Sequence, residues 1–495
     1  MKRINKKDII TFIITFIITC IIFVPFLQGH YATDTYNIIN VGYEKYAINW
    51  SLKDGRFFMA IIGLIASKIN IPIEQYVFIT LFCALLVSNI TVNILNKIIK
   101  KYREPKNIIQ EITLIIISYI TIFNFMYLED MYFVESIVMA ISVLIFVISA
   151  YILVEKNKNY IIKSLILTII GVICYQGTIG IFFAFLILFT TLKNKNNVKQ
   201  IIIDLVKSGA IALVAVLLNI VSVKIIEKIF NINQTRLGNI SNIFTNIETI
   251  VITLPKILQE TCNLFPKNML FLYLTILTVI IIIYQIQNLK KEDITIYKYI
   301  LINIITILSS SITYILTLTS FYTGRLRNSL GALIGIIFIF LYAETDILNK
   351  KNKLCIATYI TLITFTVINI INYESIMLQH KTVNKLEKEE VGKIEQYIEQ
   401  YENNTGIKVT QIAKVPIYKQ KDKGYFPNTK NKTSFTHNAL KTSWASDGVI
   451  NFYTKRNLKT IELTKEQIIY NYENFDKNNE YQCVGDTLYI HVYIF

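Results

Sequence analysis

The chain has 495 residues, 53% hydrophobic and only 17% charged, with a net charge of +16. A soluble protein carries about 25% charged residues, so this composition excludes an ordinary soluble globule. The bases are dispersed between apolar runs rather than gathered into a patch, which argues against a nucleic-acid partner; residues 374–495 hold 17 basic and 15 acidic residues, so most of the positive excess lies ahead of them.

The apolar runs are each roughly 18–25 residues long, enough to cross a ~30 Å hydrocarbon core as a helix. Helices satisfy their own backbone in lipid, and the runs are too long for barrel strands. The first, Ile9 to Leu27, is longer than a signal-peptide core and has no A-x-A-like site after it, so it reads as a retained span. Further runs lie near 73–97, 109–127, 131–154, 160–176, 178–193, 201–224, 268–287, 298–320, 329–348 and 353–372. The expectation is a polytopic, all-α membrane domain over residues 1–373 with about 11 transmembrane helices. Phe57 to Ile71 is shorter and holds Gly63, Ser67 and Lys68. It is expected to be re-entrant or interfacial; if it spans, every later segment reverses.

Two kinds of connection alternate between these runs. MKRINKK, KIIKKYREPK, EKNKN, KNKNNVK, NLKKED and NKKNK are rich in lysine and belong on the cytoplasmic side. The other face receives residues 28–72, the Glu129-Asp130 corner, Gly177, residues 225–267 and SFYTGRLRN. The expected placement is a plasma membrane, with the N-terminus cytoplasmic and the C-terminus outside.

Residues 374–495 differ in kind. Val383, Leu386, Ile394, Ile398 and Tyr401 fall near helical spacing. IKVTQIAKV alternates like a strand, and TSWASDGVINFYTK suggests a second helix. KTIEL and a further helix-like piece follow, and YQCV and TLYIHVY flank a Gly-Asp turn. This predicts a small extracytoplasmic α/β domain, either facing an acceptor or serving as a structural cap. The chain shows no GxGxxG, P-loop or Cys/His metal spacing, so no cofactor is implied, and divalent-metal dependence is left open. Cys20, Cys83, Cys174 and Cys355 lie in apolar runs; Cys262 and Cys483 do not, which leaves a disulfide between them open.

The predicted outer face collects Asp34, Glu44, Asp54, Arg56, Glu129, Asp130, Tyr175, Gln176, Arg325 and Arg327. Each has an ordinary explanation. Glu44 reads as solvated, Asp34 as a helix N-cap, Asp54-Gly55-Arg56 as a turn with a local ion pair, and the later arginines as snorkelling to headgroups. Together they suit one chemistry. Arginine forks match phosphate oxygens, and a carboxylate can take the proton of an attacking hydroxyl. Tyr31, Tyr36, Trp50 and Tyr127 offer faces for sugar rings. A sugar donor used outside the cytoplasm arrives on a lipid.

TDTY, the DGRFF block of GYEKYAINWSLKDGRFF, FMYLEDMYFVESIVM and CYQGTIG resemble the serotype-converting glucosyltransferase family of bacterial membranes. The likeness covers most of the membrane domain and fades in the tail. It implies a GT-C-like, multi-span enzyme that uses a polyprenyl-phosphate sugar, usually glucose, to decorate a cell-surface polysaccharide. By this resemblance Asp34 is the general base, Glu129 is a second catalytic candidate that with Glu135 belongs to a second acidic region, and Arg56 grips the donor phosphate with Asp54 orienting it. Tyr175 and Gln176 match a Tyr-Gln pair. Arg325 and Arg327 are assigned to phosphate binding more from topology than from motif. Family members often carry adjacent acids where this chain has Thr33-Asp34-Thr35, which weakens a metal-binding reading. The rivals are a transporter or flippase, which usually carries inverted repeats and broken midplane helices, and a polymerase or ligase acting on the same lipid-linked saccharides.

Overall fold

Long apolar stretches without internal breakers fold here as helices, and they do so in nearly the expected order. The computed structural model describes residues 6–194, 197–231, 242–288, 295–315, 323–349, 352–417, 424–426, 432–468 and 480–493. The helices are α1 Lys6–Ile22, α2 Val24–Leu27, α3 Thr33–Val41, α4 Tyr43–Tyr46, α5 Phe57–Ile69, α6 Ile73–Tyr102, α7 Ile108–Ile122, α8 Leu128–Tyr132, α9 Ser136–Glu155 and α10 Tyr160–Tyr175. They continue with α11 Gly180–Lys193, α12 Val198–Phe230, α13 Ile243–Glu260, α14 Met269–Gln287, α15 Thr295–Ser309, α16 Asn328–Glu344, α17 Lys353–Thr405 and α18 Ser446–Thr454.

Among the described residues six helical segments are long and apolar enough to cross a membrane: α6, α9, α10 with the turn after it, α12, α14 and α17. The apolar helices α5, α7, α11, α15 and α16 have 17 residues or fewer, as does α1. At 1.5 Å per residue, the 15 residues of α7 reach only about 22 Å. The expected run 109–127 stops early for a visible reason. Asn124 Nδ2 donates to the carbonyls of Thr121 (3.1 Å) and Ile122 (3.3 Å), while its Oδ1 accepts from the Met126 and Tyr127 amides. This side chain satisfies the backbone groups freed at the helix end, so the chain turns inward and α8 forms as a separate buried step. Likewise the helix expected from 131 begins only at Ser136.

The tail builds a four-stranded sheet of β1 Gln411–Ile417, β2 Lys459–Ile461, β3 Tyr481–Val484 and β4 Thr487–Tyr493, in the order β2-β1-β4-β3. β1 lies parallel to both β2 and β4, and β3 and β4 form the expected hairpin. Residues 373 and 374, where the composition changes, fall inside α17, a single 53-residue helix that runs from the apolar bundle into the tail. Tail residues Val391, Ile394 and Ile398 of α17 pack with Ile412, Leu488 and Ile490 of the sheet. A larger core joins α2, α6, α7, α9, α11 and α16. The cysteines are free thiols: Cys262 packs against that larger core and Cys483 is buried in the tail, so they form no disulfide.

Candidate functional site

Three short breaks in helical structure carry the charged residues. The first lies between α2 and α5. α3 starts after Ala32, whose amide donates to Thr35 Oγ1 at 3.1 Å. Asp34 therefore sits inside the first turn rather than capping it. After α4 and one wide π turn (Ala47–Leu52), the chain bends through Asp54-Gly55 into Arg56, just before α5. Glu44, between these points, is exposed. The second break is the α7–α8–α9 corner, which buries Glu129, Asp130 and Glu135. The third is Gly324–Leu326, which leads into α16.

These segments meet. Arg56 Nη2 lies 3.5 Å from Asp54 Oδ2 and its Nη1 3.4 Å from Glu135 Oε1. The same Glu135 oxygen accepts from the Tyr46 hydroxyl at 3.1 Å. The Arg56 guanidinium carbon stands 5.1 Å from the Tyr175 ring centroid, within cation–π range. Gln176, one residue on, donates from Nε2 to the Asp54 carbonyl at 2.6 Å. α10 thus ends at Tyr175, and Tyr175 with Gln176 just beyond it clasps the Asp54-Arg56 turn. Burial opposes the Arg56 charge, but Glu135 and Asp54 outweigh it and hold the guanidinium above its ordinary pKa.

The third break brings Arg325 to the α7–α8–α9 corner. Its backbone amide donates to Glu129 Oε2 at 3.1 Å, and its guanidinium carbon lies 4.0 Å from the Phe133 ring centroid. Burial opposes its charge too, but Tyr175, Glu129 and Asp34 outweigh burial and the repulsion from Arg56. Asp34 and Glu129 thus favour the Arg325 charge and Arg56 opposes it. Gly324 permits the approach of Arg325 to Glu129: a Cβ there would lie 2.9 Å from Glu129 Oε2 and would overlap the Leu264 side chain. Asp130 accepts from Asn328 Nδ2, and burial pushes its carboxyl well above the usual carboxylate range.

Arg327 is fully enclosed, at 0% exposure. Its Nη1 donates to Ser311 Oγ at 3.0 Å and its guanidinium carbon lies 4.5 Å from the Tyr314 ring centroid. Such a side chain does not snorkel. Two aromatics expected to stack on sugars are also enclosed. Tyr36 is buried in the tail core, and the Tyr127 hydroxyl is bound to Ser88 Oγ at 2.8 Å. Trp50 keeps an exposed face.

Several buried polar atoms in the cluster have no hydrogen-bond partner among the described residues: Tyr175 Oη, Gln176 Oε1, Arg325 Nε, Glu135 Oε2 and Asp130 Oδ1. Buried polar groups are normally paired, so this group has capacity for a polar ligand. Glu135 joins Arg56 to Tyr46 and carries as much of the geometry as Glu129; its signal in the sequence was its position in the segment FMYLEDMYFVESIVM. Among the described residues no group of three or more His, Cys, Asp or Glu side chains is gathered as a cation site. A cavity of about 170 Å³ lies to one side, lined by Phe26, Gln28, Tyr31, Glu74 and Phe78 among others; none of the predicted site residues lines it.

An apolar helical bundle with, among the described residues, six helices long enough to cross a membrane, and a buried cluster of acids, arginines and a tyrosine, defines a membrane-type helical protein. Comparison with protein-family models then matches residues 23–342 to the family described as Glucosyl transferase GtrII, and the chain belongs to that family. Its class of activity is glucosyl transfer. The match ends before α17 and the tail. Neither a comparison with curated proteins nor one with solved structures returned a match.

Proposed function

We propose that this chain transfers a glucosyl residue from a polyprenyl-phosphate sugar to a cell-surface polysaccharide, at the outer face of a bacterial plasma membrane and with inversion at the anomeric carbon. The observation that carries the reading is the buried cluster with unmatched polar atoms that holds Arg56 against Glu135 and Tyr175 and Arg325 against Glu129, with Asp34 favouring the Arg325 charge. An acceptor hydroxyl oxygen attacks the anomeric carbon while Asp34 takes its proton. The bond from that carbon to the phosphate oxygen breaks, and polyprenyl phosphate leaves with the electron pair. Arg56 and Arg325 meet the negative charge that grows on the phosphate. Such prepositioned charge is worth roughly 3–4 kcal/mol per group. Asp54 and Gln176 hold the Arg56 turn, Glu129 holds the Arg325 turn, and Arg327 braces the segment behind it.

The about eleven-span topology belongs to the same reading. With all lysine-rich turns inside, the cluster and the tail lie outside, where an isoprenoid tail can remain in the bilayer while its headgroup reaches the arginines. Shorter helices such as α7 and α11 cross with help from buried turns that they share with neighbours. The test is purified full-length protein with polyprenyl-phosphate glucose and extracted surface glycan. The expected product is a new glucosyl branch of inverted anomeric configuration. Retained configuration, or transfer from a nucleotide sugar instead, contradicts the proposal.

A further inference from the structure

α3 belongs to two cores at once. Tyr36 packs in the tail core with Val449, Ile398 and Leu488, whereas Ile38, two residues on, packs with Tyr46, Met59 and Tyr76 beside the Arg56 turn. The tail grips this nine-residue helix at three points. The Tyr36 hydroxyl donates to Glu387 Oε2 of α17 at 3.2 Å and lies 2.9 Å from the Tyr453 hydroxyl. Asn40 Nδ2 donates to Asp447 Oδ2 at 2.7 Å. Gly448 presses on the backbone, and a Cβ there would overlap the Tyr36 carbonyl.

Asp447 is fully enclosed, and Oδ2 also accepts from Thr460 Oγ1 at 2.7 Å and pairs with Lys414 Nζ at 3.0 Å. β1 and β2 thus fix the acid, and the acid fixes Asn40. A helix held by a charge-assisted bond and by a side-chain-free backbone contact has little freedom to slide. Its first turn carries Asp34.

We propose that the C-terminal domain positions Asp34, with Asn40, Asp447 and Gly448 as the positioning residues. This goes beyond a cap: the tail sets where the proton acceptor stands relative to Arg325. It rests on Asp34 being the base. A shift of about 1 Å in a reacting group can cost about a hundredfold in rate, and Gly448→Ala forces a displacement of that order on α3. Asn40→Ala removes one anchor and leaves Asp447 its bonds to Lys414 and Thr460.

The experiment measures kcat, donor KM and detergent melting temperature for full-length wild type, N40A, G448A and D34N, with polyprenyl-phosphate glucose as the donor. The expected result is kcat lowered about tenfold in N40A and about a hundredfold in G448A, with donor KM within about twofold of wild type and N40A melting as wild type. If G448A does not fold, N40A decides. Wild-type kcat in N40A beside an inactive D34N overturns the positioning role and leaves the base intact. So does a lower melting temperature with unchanged kcat, which marks a cap. An active D34N removes the base and the positioning role together.

Discussion

The two ends of α9 bury charge in different ways. Beyond its C-terminus Lys156 pairs with Asp204 at 3.0 Å, and Asp204 also accepts from Thr190 Oγ1 and Gln200 Nε2, each at 2.9 Å. Before its N-terminus Glu135 uses one oxygen for Tyr46 and Arg56, while the other has no partner among the described residues. Tyr175, Gln176, Arg325 and Asp130 add further unmatched atoms there. Twenty residues of helix, about 30 Å, separate a saturated ion pair from an unsaturated cluster. Burial of charge alone does not mark a site. A saturated acid stabilises the bundle, whereas an unsaturated group of both signs keeps hydrogen-bonding capacity for something that binds.

This contrast is open to attack by substitution. The largest expected effect is at Asp34: Asp34→Asn lowers transfer about 10³-fold with helical content unchanged by circular dichroism. Next is Arg325→Ala, expected to cost about 10²-fold in kcat/KM for the donor, read from initial rates against donor concentration. Tyr175→Phe keeps the ring beneath Arg56 and removes one unmatched hydroxyl; about a tenfold loss is expected, equivalent to one hydrogen bond of about 1.4 kcal/mol. At the opposite end, Asp204→Ala leaves transfer per folded molecule at the wild-type rate and destabilises the protein by about 2 kcal/mol, measured by denaturant titration in detergent. Equal loss of transfer from both ends would erase the distinction.

Much of this was legible in the sequence. The apolar runs became helices, and YQCV-GD-TLYIHVY became a hairpin, because hydrophobic period and turn chemistry are local signals. Asp34, Arg56, Glu129 and Arg325 were grouped from their shared side of the predicted topology; the contacts of Arg56 with Glu135 and of Arg325 with Glu129 join three of those segments. Less legible were events decided by tertiary contact. Asn124 cuts α7 short by capturing backbone groups, which an apolar count does not register. The change of composition near 374 suggested a boundary, yet α17 runs through it because no Gly or Pro lies at that point to break the helix; its one glycine, Gly392, comes later. Tyr36 and Tyr127 looked available for sugars; their burial depends on partners hundreds of residues away or on a neighbouring helix. The parallel order of the tail sheet and the grip of Asp447 on Asn40 join segments that sequence spacing does not connect.

The account rests most heavily on Asp34 acting in chemistry after the donor has been bound by Arg56 and Arg325. Single-turnover transfer by D34N, preloaded with polyprenyl-phosphate glucose and mixed with acceptor glycan, separates these steps. The account predicts donor affinity equal to wild type and no detectable transfer on the wild-type timescale. Transfer at a rate near wild type would contradict it.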